Sequence, residues 1–356
     1  MRALCLAPAA LFVLAACGQS DPAGSDVPLV PDDGAIVDEG APLDSTAAKD
    51  SSGAETGGSD ASDATTGDAK LDAAADAIGD GSLPSDLDED GVRMLHPSKV
   101  GGENWRLGSS DPNTAKDFEV ETGTKVTKAT EGKLSFWNVL SHPLSYASGG
   151  SGWTTRLHIY ASGVTTQTYN WKTQKGWLAT PADLKNQEYT VYARGHGVLD
   201  APRLAFTLKI RGGRHTTDGD LASCTMMLLA GPATSGIARF GKELHHPDYD
   251  YVKLTPTGAT SLTDATWYGL KLVSYQRAAE PTQVHYELWL DRTPFDAAGK
   301  PQNTWEKYSE YLDVEGKDTG LYTKLVDWGG MITTFRTDGW HDLDFTLISV
   351  REIVAP

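Results

Sequence analysis

The sequence predicts an all-β fold, a two-sheet antiparallel jelly-roll sandwich preceded by a disordered acidic linker. Three observations lead to this prediction. Several segments after residue 92 alternate apolar and polar side chains with a period of two. Glycine-rich turn signals separate those segments. All 10 Trp and all 13 Tyr lie beyond residue 92, so the residues able to build a core are confined to the C-terminal part of the chain.

The segments 203–211 and 283–291 carry the clearest strand pattern. In each of them every second residue is apolar, which is typical of a strand with one buried and one polar face. Turn signals follow at 211–213 and 329–330. The sequence has no sustained helical pattern and no internal repeat. Residues 93–356 are therefore expected to form one β-sandwich domain.

Residues 1–16 have the pattern of a secretory signal. Arg2 provides the positive start, and the apolar run from Leu4 to Leu14 is about half of the roughly 20 residues that cross a bilayer. The segment Leu14-Ala15-Ala16-Cys17 resembles the cleavage site of bacterial lipoproteins. That resemblance implies lipidation of Cys17 and a protein held to the cell envelope from outside the cytoplasm. Because Gly18 stands where the inner-membrane retention signal has Asp, it implies the outer membrane.

Residues 17–92 are predicted to be a disordered tether. From residue 18 onward they contain 19 acidic residues, two Lys and no aromatic residue, so they carry the whole net charge of −17. Such a composition offers too little apolar surface to offset the entropy of ordering. The remaining domain is nearly neutral, which disfavours nucleic acid as a partner.

The end of the tether has one metal-like motif. Asp86, Asp88 and Asp90 alternate before Gly91, as in the opening of an EF-hand calcium loop, but Pro97 stands where that loop has a bidentate Glu. The three carboxylates are therefore a weak calcium candidate. The alternative interpretation is the last acidic stretch of a linker, and no other cofactor is expected.

Five segments of the C-terminal region carry a family resemblance: Arg-Gly-Gly-Arg-His at 211–215, Lys-Glu-Leu-His-His-Pro at 242–247, Trp-Tyr-Gly at 267–269, Glu-Leu-Trp-Leu-Asp at 287–291 and Val-Arg-Glu-Ile at 350–353. Over roughly residues 100–355, the chain resembles a group of secreted concanavalin-A-like jelly-roll proteins. The resemblance implies a carbohydrate partner, since that superfamily includes glucanases, polysaccharide lyases and lectins. A glucanase activity is disfavoured, because Trp289 in the segment 287–291 stands where the catalytic strand of those glucanases has its central Asp.

The densest polar constellation lies between Lys209 and Tyr251, and it predicts a groove suited to β-elimination from a uronic-acid polymer. A cation must neutralise the substrate carboxylate, a base must remove the α-proton, and an acid must protonate the leaving oxygen. The carboxylate-binding cations would be Arg211 and Arg214. The candidate site residues are the substrate-binding Arg211, Arg214, Lys242 and Glu243 and the catalytic His215, His246, Tyr249 and Tyr251.

Three functions remain open from the sequence: a polysaccharide lyase, a non-catalytic carbohydrate-binding or adhesion module, and a structural envelope lipoprotein. Stacking of aromatic rings on sugars would favour the first two. Among the tryptophans, Trp153 and Trp340 lie in stretches where exposure is plausible, whereas Trp267 and Trp289 occupy strand patterns and are expected in the core.

Overall fold

The computed structural model describes residues 86–121, 124–145, 151–161, 184–212, 224–231, 237–246, 248–258, 261–317 and 322–356. These ranges contain sixteen β-strands and one 3₁₀ turn, Ala201–Arg203. In the same ranges no helix is long and apolar enough to cross a membrane. The strands of the first half are β1 Asn104–Arg106, β2 Phe118–Glu121, β3 Thr127–Glu131, β4 Leu134–Leu140, β5 His142–Ser145, β6 Ser151–Tyr160, β7 Gln187–Val198 and β8 Ala205–Gly212. Those of the second half are β9 Cys224–Ala230, β10 Ala238–His245, β11 Asp248–Leu254, β12 Tyr268–Tyr275, β13 Gln283–Asp291, β14 Glu306–Val314, β15 Ile332–Asp338 and β16 Trp340–Glu352.

The strands form two eight-stranded sheets. In the first sheet the order is β14-β13-β12-β7-β16-β4-β3, with β1 added on β16. In the second sheet the order is β11-β10-β9-β8-β15-β6-β2, with β5 added on β6. The pairings between these strands are antiparallel, which confirms the predicted all-β, two-sheet jelly-roll fold.

The core lies between the two sheets and follows the alternation seen in the sequence. On β8, Phe206, Leu208 and Ile210 are fully buried. The same core cluster contains a row of buried apolar side chains on β13, made of Val284, Tyr286, Leu288 and Leu290. The strand patterns at 203–211 and 283–291 therefore supply opposite walls of one core.

Three tryptophans lie differently from their predicted positions. Trp340, expected at the surface, has no exposed area and stacks on Phe206 with 5.8 Å between ring centroids. Its ring lies over Gly195, where a Cβ atom would come within 2.2 Å of the indole. Trp267 and Trp289, both expected in the core, are only half-buried.

Residues 86–102 form an N-terminal strap on the outer face of the first sheet. Leu87 and Arg93 make a β-bridge, Val92 is buried, and Leu95 packs beside Val273 and Tyr275. The backbone N–H of Leu95 donates to Glu188 Oε2 at 3.0 Å. Residues 86–92 of the predicted tether are thus in contact with the sandwich, and residues 17–85 lie outside the described residues.

A buried charged cluster joins the two sheets at one end of the core. Lys242 on β10 approaches Asp313 on β14 at 2.8 Å, although neither carboxylate oxygen receives a well-directed hydrogen bond. Burial raises the pKa of Asp313, against the opposing effect of Lys242 and Arg211. The Arg211 Nη1 atom donates to the carbonyl oxygen of Val326 at 2.9 Å.

Candidate functional site

The outer face of the second sheet, called the polar face below, carries a row of side chains in register across seven strands. Starting from the β11 edge, the row consists of Tyr251, Gly241, Met226, Lys209, Thr334, His158 and Glu119. Each of these residues lies opposite its neighbour on the next strand. Because side chains of directly opposed residues point to the same side of a sheet, the row defines one continuous surface.

Lys209 belongs to a five-residue cluster on this face. Its Nζ donates to Tyr249 Oη at 3.1 Å and lies 3.3 Å from Glu243 Oε2. His246 contacts the other oxygen of the same carboxylate, with 2.7 Å between Nδ1 and Oε1. The thiol of Cys224 donates to Glu243 at 3.3 Å. Glu243 is fully buried and holds the ammonium and the imidazole on either side of it.

Two tyrosines form an aromatic platform at the edge of the polar face. Tyr249 and Tyr251 stack with centroids 5.7 Å apart and 12° between ring planes. Tyr251 lies close over β10 because position 241 is glycine, where a Cβ atom would come within 2.6 Å of the ring. Tyr251 Oη also lies 3.7 Å from the sulfur of Met226. Both rings are half-buried, as a surface that stacks on a sugar would require.

The other half of the polar face is built from β6, β2 and β15. Along β6, Arg156, His158 and Tyr160 alternate with the core residues Leu157 and Ile159. Arg156 pairs with Glu121 at 2.6 Å, and the same carboxylate lies 3.0 Å from His158 Nε2. The His158 Nδ1 atom lies 2.9 Å from the hydroxyl of Thr334.

Charges on the polar face are closely balanced. Lys209 is paired with Glu243, Arg156 with Glu121, and Arg336 with Asp338 at 2.9 Å. Such pairs hold the side chains in fixed geometry.

The structure brings together four of the predicted site residues. Glu243, His246, Tyr249 and Tyr251 all lie within the Lys209 cluster or on the adjoining platform. Arg214 and His215 lie outside the described residues, as does Cys17, so their predicted roles remain predictions.

Arg211 and Lys242 were predicted to bind substrate, and their position contradicts that role. A bulge in the pairing of β8 with β15 and a left-handed backbone at Arg211 (φ 55°) turn its side chain into the core, towards Ser274 and Tyr286. Lys242 is on the same side of β10 as Phe240 and reaches Asp313 across the core. Period-two alternation alone misplaces Arg211, because the bulge shifts the alternation by one residue.

The carboxylates of the calcium candidate all have partners within the chain. Asp86 pairs with Arg93, Asp90 pairs with Arg106, and Asp88 Oδ1 accepts the N–H groups of Asp90 and Val92. Burial raises the pKa of Asp88, which disfavours the ionised form that calcium needs. Among the described residues no group of three or more His, Cys, Asp or Glu could hold a metal ion.

The sequence prediction assigned no site residue to β6 or β15, two strands of the polar face. The alternation of Arg156, His158 and Tyr160 on β6 and of Thr334, Arg336 and Asp338 on β15 was a visible signal. What could not be read from the sequence was that both strands lie beside β8. That neighbourhood depends on long-range pairing, in which β15 comes between β8 and β6.

No family model matches the sequence, and no curated protein matches it. Among solved structures the chain is similar to a PL-14 alginate lyase from Aplysia kurodai (TM-score 0.38, 6% identity, 68% of this chain and 91% of that chain). It is also similar to an endo-β-1,4-glucuronan lyase from the fungus Trichoderma reesei (TM-score 0.33, 10% identity, 66% and 90%). A third similar structure is peanut lectin (TM-score 0.31, 8% identity, 71% and 98%). Values this low carry no argument about function, so the side chains of the polar face must carry it.

Proposed function

We propose that the polar face binds a polysaccharide and that the Lys209 cluster acts on it as a lyase of uronic-acid polymers. The observation that carries the proposal is the contact of Lys209 Nζ with Tyr249 Oη at 3.1 Å, beside a second tyrosine and a histidine. A cation, a phenol and an imidazole are the groups that elimination requires. The stacked tyrosines provide the surface on which a sugar ring would rest.

The chemistry divides between three side chains. The Lys209 ammonium would have the carboxylate-binding role that was predicted for Arg211, and it would stabilise negative charge on the uronate as the α-proton leaves. Either Tyr249 or His246 would remove that proton, after which the β carbon–oxygen bond breaks and a carbon–carbon double bond forms. The departing oxygen takes a proton from the other group or from water. Glu243 would position Lys209 and His246 without touching substrate.

Elimination leaves an unsaturated uronate that absorbs near about 235 nm, so it can be followed directly. We expect the full mature chain to produce this absorbance with at least one of alginate, polyglucuronate and pectin. Tyr249→Phe should reduce the rate by about 100-fold or more, because it removes a proton-transfer group, while polymer binding changes little. A Tyr249→Phe variant that retains the rate would remove Tyr249 from the chemistry. Tyr311→Phe, on the other sheet, is the matched control.

A non-catalytic carbohydrate-binding module is the second candidate. It is favoured by the pairing of Lys209 with a fully buried carboxylate, since an internal partner weakens the field that the ammonium presents to substrate. A glycan array separates the two candidates. Retained affinity for a polymer, with no absorbance from any polyuronate, would support the binding module. Loss of both would support a structural envelope protein.

We also propose that Cys17 is lipidated and that the domain lies outside the cytoplasm, held to the cell envelope. The support is the sequence pattern before Cys17 and the composition of residues 18–92, in which all charged residues except two Lys are acidic. Cys17→Ser should prevent incorporation of a labelled fatty acid and move the protein from the membrane fraction to the soluble fraction. Cys224→Ser is the control and should leave both properties unchanged. Equal labelling of the Cys17→Ser variant would contradict the anchor.

A further inference from the structure

An open cavity of about 160 Å³ lies on the first-sheet side of the sandwich, across the core from the polar face. It is formed where the turn between β3 and β4 meets the excursion between β13 and β14. Its volume is below the roughly 300–1,000 Å³ of sites for drug-sized ligands, so it suits one sugar ring better than several. Its lining includes Glu131, Lys133, Trp267, Phe295, Asp296 and Ala297.

Trp267 supplies the aromatic part of the cavity and is held in place from several sides. The edges of Phe136 and Phe295 meet it at centroid distances of 5.5 Å, and the Arg194 guanidinium lies 4.7 Å from its centroid. The indole Nε1 atom is buried and has no hydrogen-bond partner.

The rim of the cavity is polar and carries two exposed carboxylates. Glu131 pairs with Arg194, and Asp296 accepts the N–H groups of Ala298 and Lys300 within its own turn. These contacts fix both carboxylates and leave them lone pairs that can accept from sugar hydroxyls. Glu131 and Asp296 offset Lys133 and Arg194, so the rim has no net positive charge that would attract an anionic ligand.

The two walls of the cavity, the β3–β4 hairpin and the excursion between β13 and β14, pack tightly against each other. Gly299 has a left-handed backbone (φ 72°), and a Cβ atom there would come within 2.8 Å of the backbone nitrogen of Leu134. This close approach holds the turn of the excursion against the β3–β4 hairpin. A preformed cavity loses little entropy when it binds a ligand.

We propose that this cavity is a second saccharide site, specific for a single neutral hexopyranose unit. One face of the sugar would lie on Trp267, and its hydroxyls would donate to Glu131 and Asp296. The site differs in ligand class from the polar face, where the proposed ligand is a uronic-acid polymer. It would let the domain hold a neutral glycan on one side and a polyuronate on the other.

The test uses the full mature chain and the methyl glycosides of glucose, galactose and mannose, with methyl glucuronide as the anionic probe. Saturation-transfer NMR should show binding of at least one neutral glycoside with a Kd of about 1–10 mM, as expected for a ligand of this size in one small cavity. Methyl glucuronide should bind at least about tenfold more weakly. Absence of transfer from every neutral glycoside at about 50 mM would overturn the proposal.

Two variants locate the binding. Trp267→Ala should weaken it at least about tenfold. Ala297→Trp, an exposed turn position, should block the cavity without removing any contact, so it keeps the test valid if Trp267→Ala fails to fold. Lys209→Met, on the polar face, should leave neutral-sugar binding unchanged. If Lys209→Met abolishes it and Ala297→Trp does not, the neutral sugar binds at the polar face and the cavity is not a site.

Discussion

Replacing Glu188 by Gln is expected to lower the free energy of unfolding by about 3–5 kcal/mol. Glu188 is buried on the outer side of the first sheet, where Lys271 donates to it at 2.8 Å, Arg351 forms a second ion pair and Leu95 N–H donates at 3.0 Å. The substitution would leave two buried cations without a counter-charge and would weaken the contact that holds the N-terminal strap. Urea unfolding of both proteins at pH 7 measures the difference.

The pH dependence of this difference has a definite sign. Burial alone would raise the pKa of Glu188, but the charges of Lys271 and Arg351 and the hydrogen bonds to the carboxylate lower it below 4.5. A carboxyl whose folded pKa is lowered contributes stability above its unfolded value of 4.5, and that stability is lost as the pH falls through the folded pKa. The gap between wild type and Glu188→Gln should therefore be full at pH 7 and shrink below pH 4.5.

Glu306→Gln is the control for this prediction, since Glu306 pairs with Arg292 at the surface. Its loss should change the free energy of unfolding by less than about 1 kcal/mol. A Glu188→Gln variant that is as stable as Glu306→Gln would show that the buried ion pairs do not stabilise the fold.

Lys209→Met is expected to weaken polysaccharide binding at the polar face, and to slow any elimination there, by about 100-fold. Methionine keeps much of the side-chain volume and removes the charge, so the loss would report the ammonium and its contact with Tyr249. The measurement is the Kd for whichever polymer the wild-type chain binds, together with the elimination rate where one is found. A change of less than about threefold in both quantities would remove Lys209 from the site.

This substitution leaves Glu243 with His246 and Cys224 as its neighbours, so some loss of stability is expected. Lys209→Met/Glu243→Gln removes both charges and should recover stability while binding stays weak. Lys128→Met is the matched control, because Lys128 is exposed on β3 of the other sheet and lies over Trp137. Weak binding by a stable double variant would separate function from folding.

Alternation predicted the fold because a sandwich needs strands with one apolar face, and the segments 203–211 and 283–291 both have one. It could not predict sheet order, since the pairing of β8 with β15 joins residues more than a hundred positions apart. Trp340 shows a second limit. Its polar surroundings in the sequence indicated exposure, whereas the absence of a side chain at Gly195 on the neighbouring strand makes room for it in the core.

The candidate site was predictable in part, and the displacement of Arg211 has a definite physical cause. Glu243, His246 and Tyr249 converge because β10 and β11 form a tight hairpin, whose pairing is local. Arg211 departs because the bulge at the end of β8 inverts the direction of its side chain. A single sequence does not reveal that an arginine adopts a left-handed backbone conformation. The glycines that follow Arg211 indicated only that a bulge was near.

The N-terminal strap has a consequence for how large ligands approach. Its first described residue, Asp86, lies on the first-sheet side, where Asp88 comes near Lys271 and Val92 is buried. The polar face is on the opposite side of the core. A ligand bound at the polar face would therefore not contact the strap.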